Sequence, residues 1–399
     1  MLNELKARIA SHRQEILDFT TALIRIPTEN PPGMAYEECA RALRERLSSL
    51  GFQLQARVPG PCVQAVLGRG RRTIHFHGHF DVVPAASPAQ FQPATEDGKL
   101  IGRGSSDMKA GLAAMVYAAV ALRECGIELD GRISLTFVPD EETGGMRGSR
   151  LLITRRWLGK GAAGMLTPEP TGGAIWNTSR GAVSLRVTVH GRPAHVGLAH
   201  AGSNAFEHMI AVAQRLLQLK KKVALRKTRY SIRPEAARRS ILMMGGRCEG
   251  GTNFNTVPAD CSFTIDRRTN PEEDLATEKR QLLEVLAGLR RGGIEMDIQI
   301  LQEGEPSATS ADHPMAIALA KSVREVTRET PRFEMCPGLL ETRFYSRAQV
   351  PALAYGPGLL TVSHGPREFV PVQNIHDCAL VYALTAARFL GWERRRLGD

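Results

Sequence analysis

Apolar residues recur at helical spacing over residues 3–25, 35–50, 107–125 and 146–158, and this periodicity predicts four helices. Short apolar runs at 62–67, 72–78, 132–138 and 163–167 predict strands between them. Such alternation calls for a mostly parallel sheet with helices on both faces. Near the end, VPALAYG followed by GPG at 356–358 reads as a strand and turn, and DCALVYALTAARFL as a closing helix.

Between about 181 and 300 the order changes to strand, helix, strand, strand, helix, strand. The segments are AVSLRVTVHG, NAFEHMIAVAQRLLQL, SILMMGG, CSFTIDRR, PEEDLATEKRQLLEVLAGL and IEMDIQIL. This is the order of a ferredoxin-like α+β unit. Strand-and-helix material resumes after it, so 181–300 reads as an insertion into an α/β domain made of 1–180 and 301–399. A chain of 399 residues with 43% hydrophobic residues can supply two cores.

Composition narrows the function classes. The opening MLNELKARIASHRQEILDF has the scattered charges of an amphipathic helix, and no run reaches membrane-spanning length, so the expected location is the cytoplasm. Seven cysteines are scattered without a CxxC pair, which points to reduced thiols and away from a cysteine zinc site. The net charge of +11 comes as short clusters, KKKVALRKTRY at 220–230 and ERRRLGD at the C-terminus, without interleaved aromatics. It reads as a solvated surface, with neither nucleic acid nor membrane as partner.

The chemistry gathers where strands end. In HFHGHFD, His75, His77, His79 and Asp81 share one strand face. Ligands in open parallel sheets bind beyond the carboxyl ends of strands, which favours His79 over the two histidines behind it. In GRGSSDMKAG, Asp107 is either a helix cap or a carboxylate aimed out of a turn. In TFVPDEETGG a strand runs into Asp140, Glu141 and Glu142, either a solvated loop or three like charges gathered around a cation. Glu169 stands between Pro168 and Pro170, and His364 lies in the loop SHGP. Imidazole and carboxylate without thiolate suit zinc, with cobalt or manganese as substitutes. The donors suffice for two ions sharing a carboxylate, with one glutamate left for base chemistry.

The series HGHFDVVP, GRGSSDMKAG, DEETGG, TPEPT and SHGP closely resembles the dizinc amidohydrolase family of acetylornithine deacetylase, succinyl-diaminopimelate desuccinylase, aminoacylase and bacterial glutamate carboxypeptidase. The resemblance implies a zinc-peptidase-like three-layer catalytic domain with an inserted ferredoxin-like lid that forms a homodimer. It implies His79 and Glu169 on one metal ion, Glu142 and His364 on the other, and Asp107 bridging. Asp81 would hold the imidazole of His79, and Glu141 would be the general base. GRPAHVGLAHAGSNA implies that His195 reaches the neighbouring subunit's site, and GTNFNTVPADCSFTIDRRTNP implies Asn255 and Arg268 as substrate binders. A guanidinium pairs bidentately with carboxylate, so Arg268 implies a small substrate bearing one. The family's AHSxxP reads AHVGLA here and its GGTDAR-like segment reads GLLETR, leaving Glu341 and Arg343 as imperfect matches. The implied reaction is metal-dependent hydrolysis of the amide of an N-acyl amino acid. A dipeptidase or carboxypeptidase is the alternative within the family, and a non-catalytic metal-binding module the alternative outside it.

Overall fold

Strand Thr73–His79 is buried along its whole length, and the fold is arranged around it. The structure, a computed structural model, describes residues 1–159 and 161–394; the end of the basic C-terminal cluster lies outside the described residues. Thr73–His79 runs parallel to Arg132–Val138 on one side and to Ala162–Thr167 on the other. Ala352–Ala354 continues the parallel order beyond Ala162–Thr167.

The expected parallel sheet is therefore correct for its middle and incomplete at its margins. Val63–Gly68 pairs antiparallel with Arg132–Val138, and Ile175–Ser179 pairs antiparallel with Ala352–Ala354. The cause is connection length. A parallel return needs a crossover of a dozen residues or more, and the loops before Thr73 and Ile175 are too short to hold one.

The two faces of Thr73–His79 differ in chemistry. Ile74 and Phe76 point into the main core with Leu135, Leu166, Leu353 and the helices Ala110–Glu124 and Val372–Leu390. Helix Ala110–Glu124 is buried on all sides from Ala110 to Leu122, as a helix apolar all round must be. His75, His77 and His79 take the opposite face, where Met165, Leu152 and Tyr345 form a smaller core.

Several element boundaries shift from the periodicity. The 3–25 segment is two helices, Leu2–Ser11 and Arg13–Arg25, parted at His12, whose ring bridges Glu15 and Glu124. The helix expected from 107 starts at Ala110, because Asp107 takes extended dihedrals. The one expected over 146–158 shrinks to Ser149–Thr154.

The chain divides into two compact units, Met1–Asn177 with Ala308–Glu334 and Glu341–Asp399, and Thr178–Ser307 with Met335–Leu340. In the second, four antiparallel strands stand in the order Ile241–Gly250, Asp260–Thr269, Gly181–His190, Met296–Gly304. Helices Ala205–Val223 and Leu275–Arg291 bury Val212, Leu216, Leu282 and Leu286 against Val183, Leu185, Val187 and Ile265. This is the ferredoxin-like arrangement that the order of segments predicts. Among the described residues, no helix is long and apolar enough to cross a membrane.

This smaller unit also contains a charged core. Arg267, 1% exposed, donates to Glu273 and Glu278 at 2.7 Å each, and Arg226 pairs with the same two carboxylates. Removing one partner of a buried ion network leaves charge without compensation. Arg267→Ala is expected to destabilise this unit by about 3–5 kcal/mol, read from its urea unfolding midpoint.

Candidate metal centre and active site

Each candidate ligand of the larger unit follows the end of a strand or opens a helix. His79 closes Thr73–His79, Glu142 follows Arg132–Val138, Glu169 follows Ala162–Thr167, and Asp107 precedes Ala110–Glu124. His364 comes from the loop after Ala352–Ala354 and holds φ 64°, a left-handed backbone uncommon for histidine.

The fold brings these five together. His79, Asp107 and Glu169 form one group and Asp107, Glu142 and His364 a second, with donor atoms in each group within 4.8 Å of one another. Asp107 belongs to both. Its Oδ1 lies 3.2 Å from His79 Nε2 and its Oδ2 3.4 Å from His364 Nε2, and Glu142 Oε1 is 3.4 Å from the same His364 nitrogen. Asp107 Oδ1 and Glu142 Oε1 are nonetheless buried without a hydrogen-bond partner. Donors that crowd one point without bonding to each other are arranged for a shared cation, and a mixed nitrogen and oxygen set fits a divalent metal.

The electrostatics agree. Burial, reinforced by the charge of Asp107, pushes the Glu169 carboxyl well above its ordinary range. Burial also raises Glu142. Burial would raise Asp107 too, but the His364 and His79 rings beside it hold it below the usual carboxylate range. His364, with the Asp107 and Glu142 carboxylates beside it, rises to about 10. Too many carboxylates share too few cations, and positive charge is what the cluster lacks.

The three acidic residues after Pro139 have separate tasks. Asp140, at φ 74°, turns inward and accepts from Thr143 Oγ1 and the Arg147 amide at 2.9 Å each. Glu142 joins the second ligand group. Glu141 belongs to neither group. Desolvation, with the charge of Glu142 and against that of His79, lifts its carboxyl to about 8.

Asp81 ties the histidine strand to this loop. His79 Nδ1 lies 3.0 Å from the Asp81 carbonyl and 3.4 Å from its Oδ1, an orientation that leaves Nε2 facing the cluster. The Asp81 carboxylate accepts from the Glu141 and Glu142 amides at 3.1 Å and from Asn30 Nδ2 at 2.8 Å.

Other residues of the site carry little sequence signal. Glu368, 1% exposed, accepts from the Ser106 amide at 2.9 Å, from the Asp107 and Gly104 amides at 3.0 Å, and from Arg103 Nη1 at 2.7 Å. Arg103 Nη2 also donates to the His364 carbonyl at 3.3 Å. One carboxylate–guanidinium pair thus fastens the Asp107 turn to the His364 loop. The GPG turn at 356–358 has a related use: a Cβ on Gly356 would stand 2.2 Å from the Pro168 carbonyl, and one on Gly358 2.1 Å from that of Ser106. Only glycine lets this turn lie against the Glu169 and Asp107 segments.

The remaining histidines of the row are not in either ligand group. His75 is buried with both ring nitrogens unpartnered, and burial lowers it to about 3, so it packs as a neutral ring. His77 hydrogen-bonds Glu341 Oε2 at 2.7 Å and Tyr345 Oη at 3.1 Å.

The candidates of the smaller unit are only partly gathered. His195 and Asn255 stand on adjoining loops, joined by the Val196 amide donating to the Asn255 carbonyl at 2.9 Å. The His195 ring accepts from the Gly197 amide at 3.1 Å. Arg268 lies near the far end of Asp260–Thr269, roughly 25 Å away at about 3.3 Å per residue, with its Nε on Asp266 at 2.9 Å.

Fold and cluster together define a two-metal hydrolase: a parallel-centred sheet carrying two donor groups that share a carboxylate, with an unligated glutamate beside them. Residues 75–388 match the model of peptidase family M20/M25/M40, and the chain belongs to that family. It is 28% identical to a succinyl-diaminopimelate desuccinylase from Alkalilimnicola ehrlichii, over 94% of this chain and 100% of that one. It is 29% identical to aminoacylase-1 from Sus scrofa, over 84% of each. In structure it resembles the di-peptidase Dug1p from Saccharomyces cerevisiae, with a TM-score of 0.81, 17% identity and 98% of each chain covered.

The Glu368 clamp can be tested directly. Glu368→Ala is expected to weaken metal binding about 10- to 100-fold with the fold retained, by calorimetric titration of the stripped protein with zinc or cobalt. Unchanged affinity would show that the Asp107 turn holds itself.

Proposed function

We propose that the protein hydrolyses the amide bond of N-acyl amino acids as a homodimer carrying two divalent ions, zinc or its substitutes cobalt and manganese, in the cytoplasm. The observation that carries this reading is Glu141, a partly buried carboxylate outside both donor groups yet braced through its amide by Asp81. A site built only to hold metal has no use for it, which disfavours the non-catalytic module. The two desuccinylase and aminoacylase relatives support a deacylase; the likeness to the di-peptidase is one of fold. Among the described residues no disulfide is formed, in keeping with a reducing compartment.

His79, Asp107 and Glu169 would hold one ion and Asp107, Glu142 and His364 the other. Two divalent ions there supply Lewis acidity, lowering the pKa of water and polarising the amide carbonyl. Glu141 takes a proton from the attacking water and passes it to the departing amine. Its carboxyl, raised by desolvation, is poised as both acceptor and donor near neutral pH. Arg268 pairs with the substrate's carboxylate, Asn255 hydrogen-bonds it, and His195 donates to the developing oxyanion. The distance between Arg268 and the His195–Asn255 pair within one chain supports a dimer, because one small substrate can meet all three only if two chains contribute them.

Glu141→Ala is expected to lower turnover about 10²- to 10⁴-fold while two equivalents of metal stay bound, measured by hydrolysis and metal analysis. The substrate panel is acetylated, succinylated and formylated amino acids with dipeptides alongside. Near-wild-type turnover in the variant, or cleavage of dipeptides alone, would overturn the assignment.

A further inference from the structure

Two charged side chains near Glu141 remain outside this mechanism. Glu341 is 1% exposed and Arg343 5% exposed, at the start of the short helix Thr342–Arg347. The Glu341 carboxylate is held at one end only. His77 Nε2 donates to Oε2 at 2.7 Å, and Tyr345 Oη, 3.1 Å from His77 Nδ1, fixes the ring in the tautomer that can do so. Ser149 Oγ lies 2.8 Å from the same His77 nitrogen. Oε1 is buried without a partner.

Arg343 is the counterpart. Its Nη2 donates to the Gly144 carbonyl at 3.3 Å, in the loop that carries Glu141 and Glu142, and its Nη1 is buried without a partner. Among the described residues no ion pair joins Glu341 to Arg343. Both nevertheless lie against the loop that carries Glu141: a Cβ on Gly145 would stand 3.7 Å from Glu341 Oε1, one residue beyond the Gly144 carbonyl that Arg343 holds. Burial would raise the Glu341 carboxyl, but His77, with Ser149, holds it below its ordinary range. Buried unpaired charges are costly, and two of opposite sign side by side would normally close on each other. Here each is held open from behind, presenting one acceptor and one donor.

We propose that Glu341 Oε1 and Arg343 Nη1 form a subsite for the zwitterionic end of an amino acid, Glu341 taking its ammonium and Arg343 its carboxylate. The inference rests on the amide-hydrolase reading above, puts Arg343 in place of Arg268 as the partner of the α-carboxylate, and narrows the substrate: the acyl group would sit on the side-chain nitrogen of a diamino acid whose α-amine and α-carboxylate are both free. Neither a dipeptide nor an Nα-acyl amino acid of a simple side chain presents both groups on one carbon.

The test compares Nε-acetyl-L-lysine with 6-acetamidohexanoate, which lacks the α-amine, and N-(5-aminopentyl)acetamide, which lacks the carboxylate. The metal-loaded wild-type protein is expected to favour the zwitterion over each analogue by about 10- to 100-fold in kcat/KM, the scale of one lost charge-assisted hydrogen bond. Glu341→Gln should collapse the ratio against the des-amino analogue only, and Arg343→Gln the ratio against the des-carboxy analogue only. Calorimetry of L-lysine and 6-aminohexanoate binding to metal-loaded Glu141→Ala protein reads the subsite without turnover, and a tenfold preference for lysine is expected. Equal binding of the two, or equal losses on all three amides in the variants, would overturn the subsite. Absence of hydrolysis across the whole panel with lysine still preferred would instead overturn the hydrolase reading and leave the subsite standing.

Discussion

Asp107, Glu141, Glu142 and Glu169 are four carboxylates converging where little water reaches, and their mutual repulsion is the constraint that the rest of the catalytic unit answers. Two imidazoles offset part of it, and divalent ions would offset the remainder. A charge cluster of this kind relaxes by rotating apart unless its backbone is held. The bracing is therefore extensive: Asp81 on the Glu141 and Glu142 amides, Glu368 on the Gly104, Ser106 and Asp107 amides, and Arg103 from Glu368 to the His364 carbonyl.

The sheet serves the same end. Its central strands are parallel, so their carboxyl ends open on one side and the loops after them meet there. The GPG turn brings backbone against backbone at distances only glycine allows, drawing the Glu169 and Asp107 segments together. The apolar face of the histidine strand supplies the rigidity, with Ile74 and Phe76 buried in the main core while His77 and His79 face the site.

Much of the site was legible from residue type and position. His79, Asp107, Glu142, Glu169 and His364 lie in polar or acidic loops next to predicted strands, and the resemblance assigned them to two ions. The structure then set Asp107 apart from a helix cap, since Lys109 holds that position and the Asp107 carboxylate faces His79 and His364, and it gave Asp140, Glu141 and Glu142 three different surroundings within one loop. Glu368, Arg103 and Asn30 were not legible. In sequence they are ordinary polar residues, and only burial together with a distant partner distinguishes them. Glu341 and Arg343 read as departures from a motif, whereas in the fold they are buried charges with unpartnered atoms.

What the sequence determined by itself was local and periodic: alternating apolar segments for the sheet, the ferredoxin-like order of 181–300, and donor types that suit a divalent metal. Tertiary structure decided whatever depends on residues far apart in the chain: strand direction at the sheet margins, the sharing of Asp107, the clamp from Glu368, and which charges stay unpaired. The physical reason is range. Helix and strand periodicity is written in neighbours a few residues apart, whereas hydrogen bonding and desolvation at the site join positions such as 77 and 341, or 107 and 368, whose proximity exists only after folding.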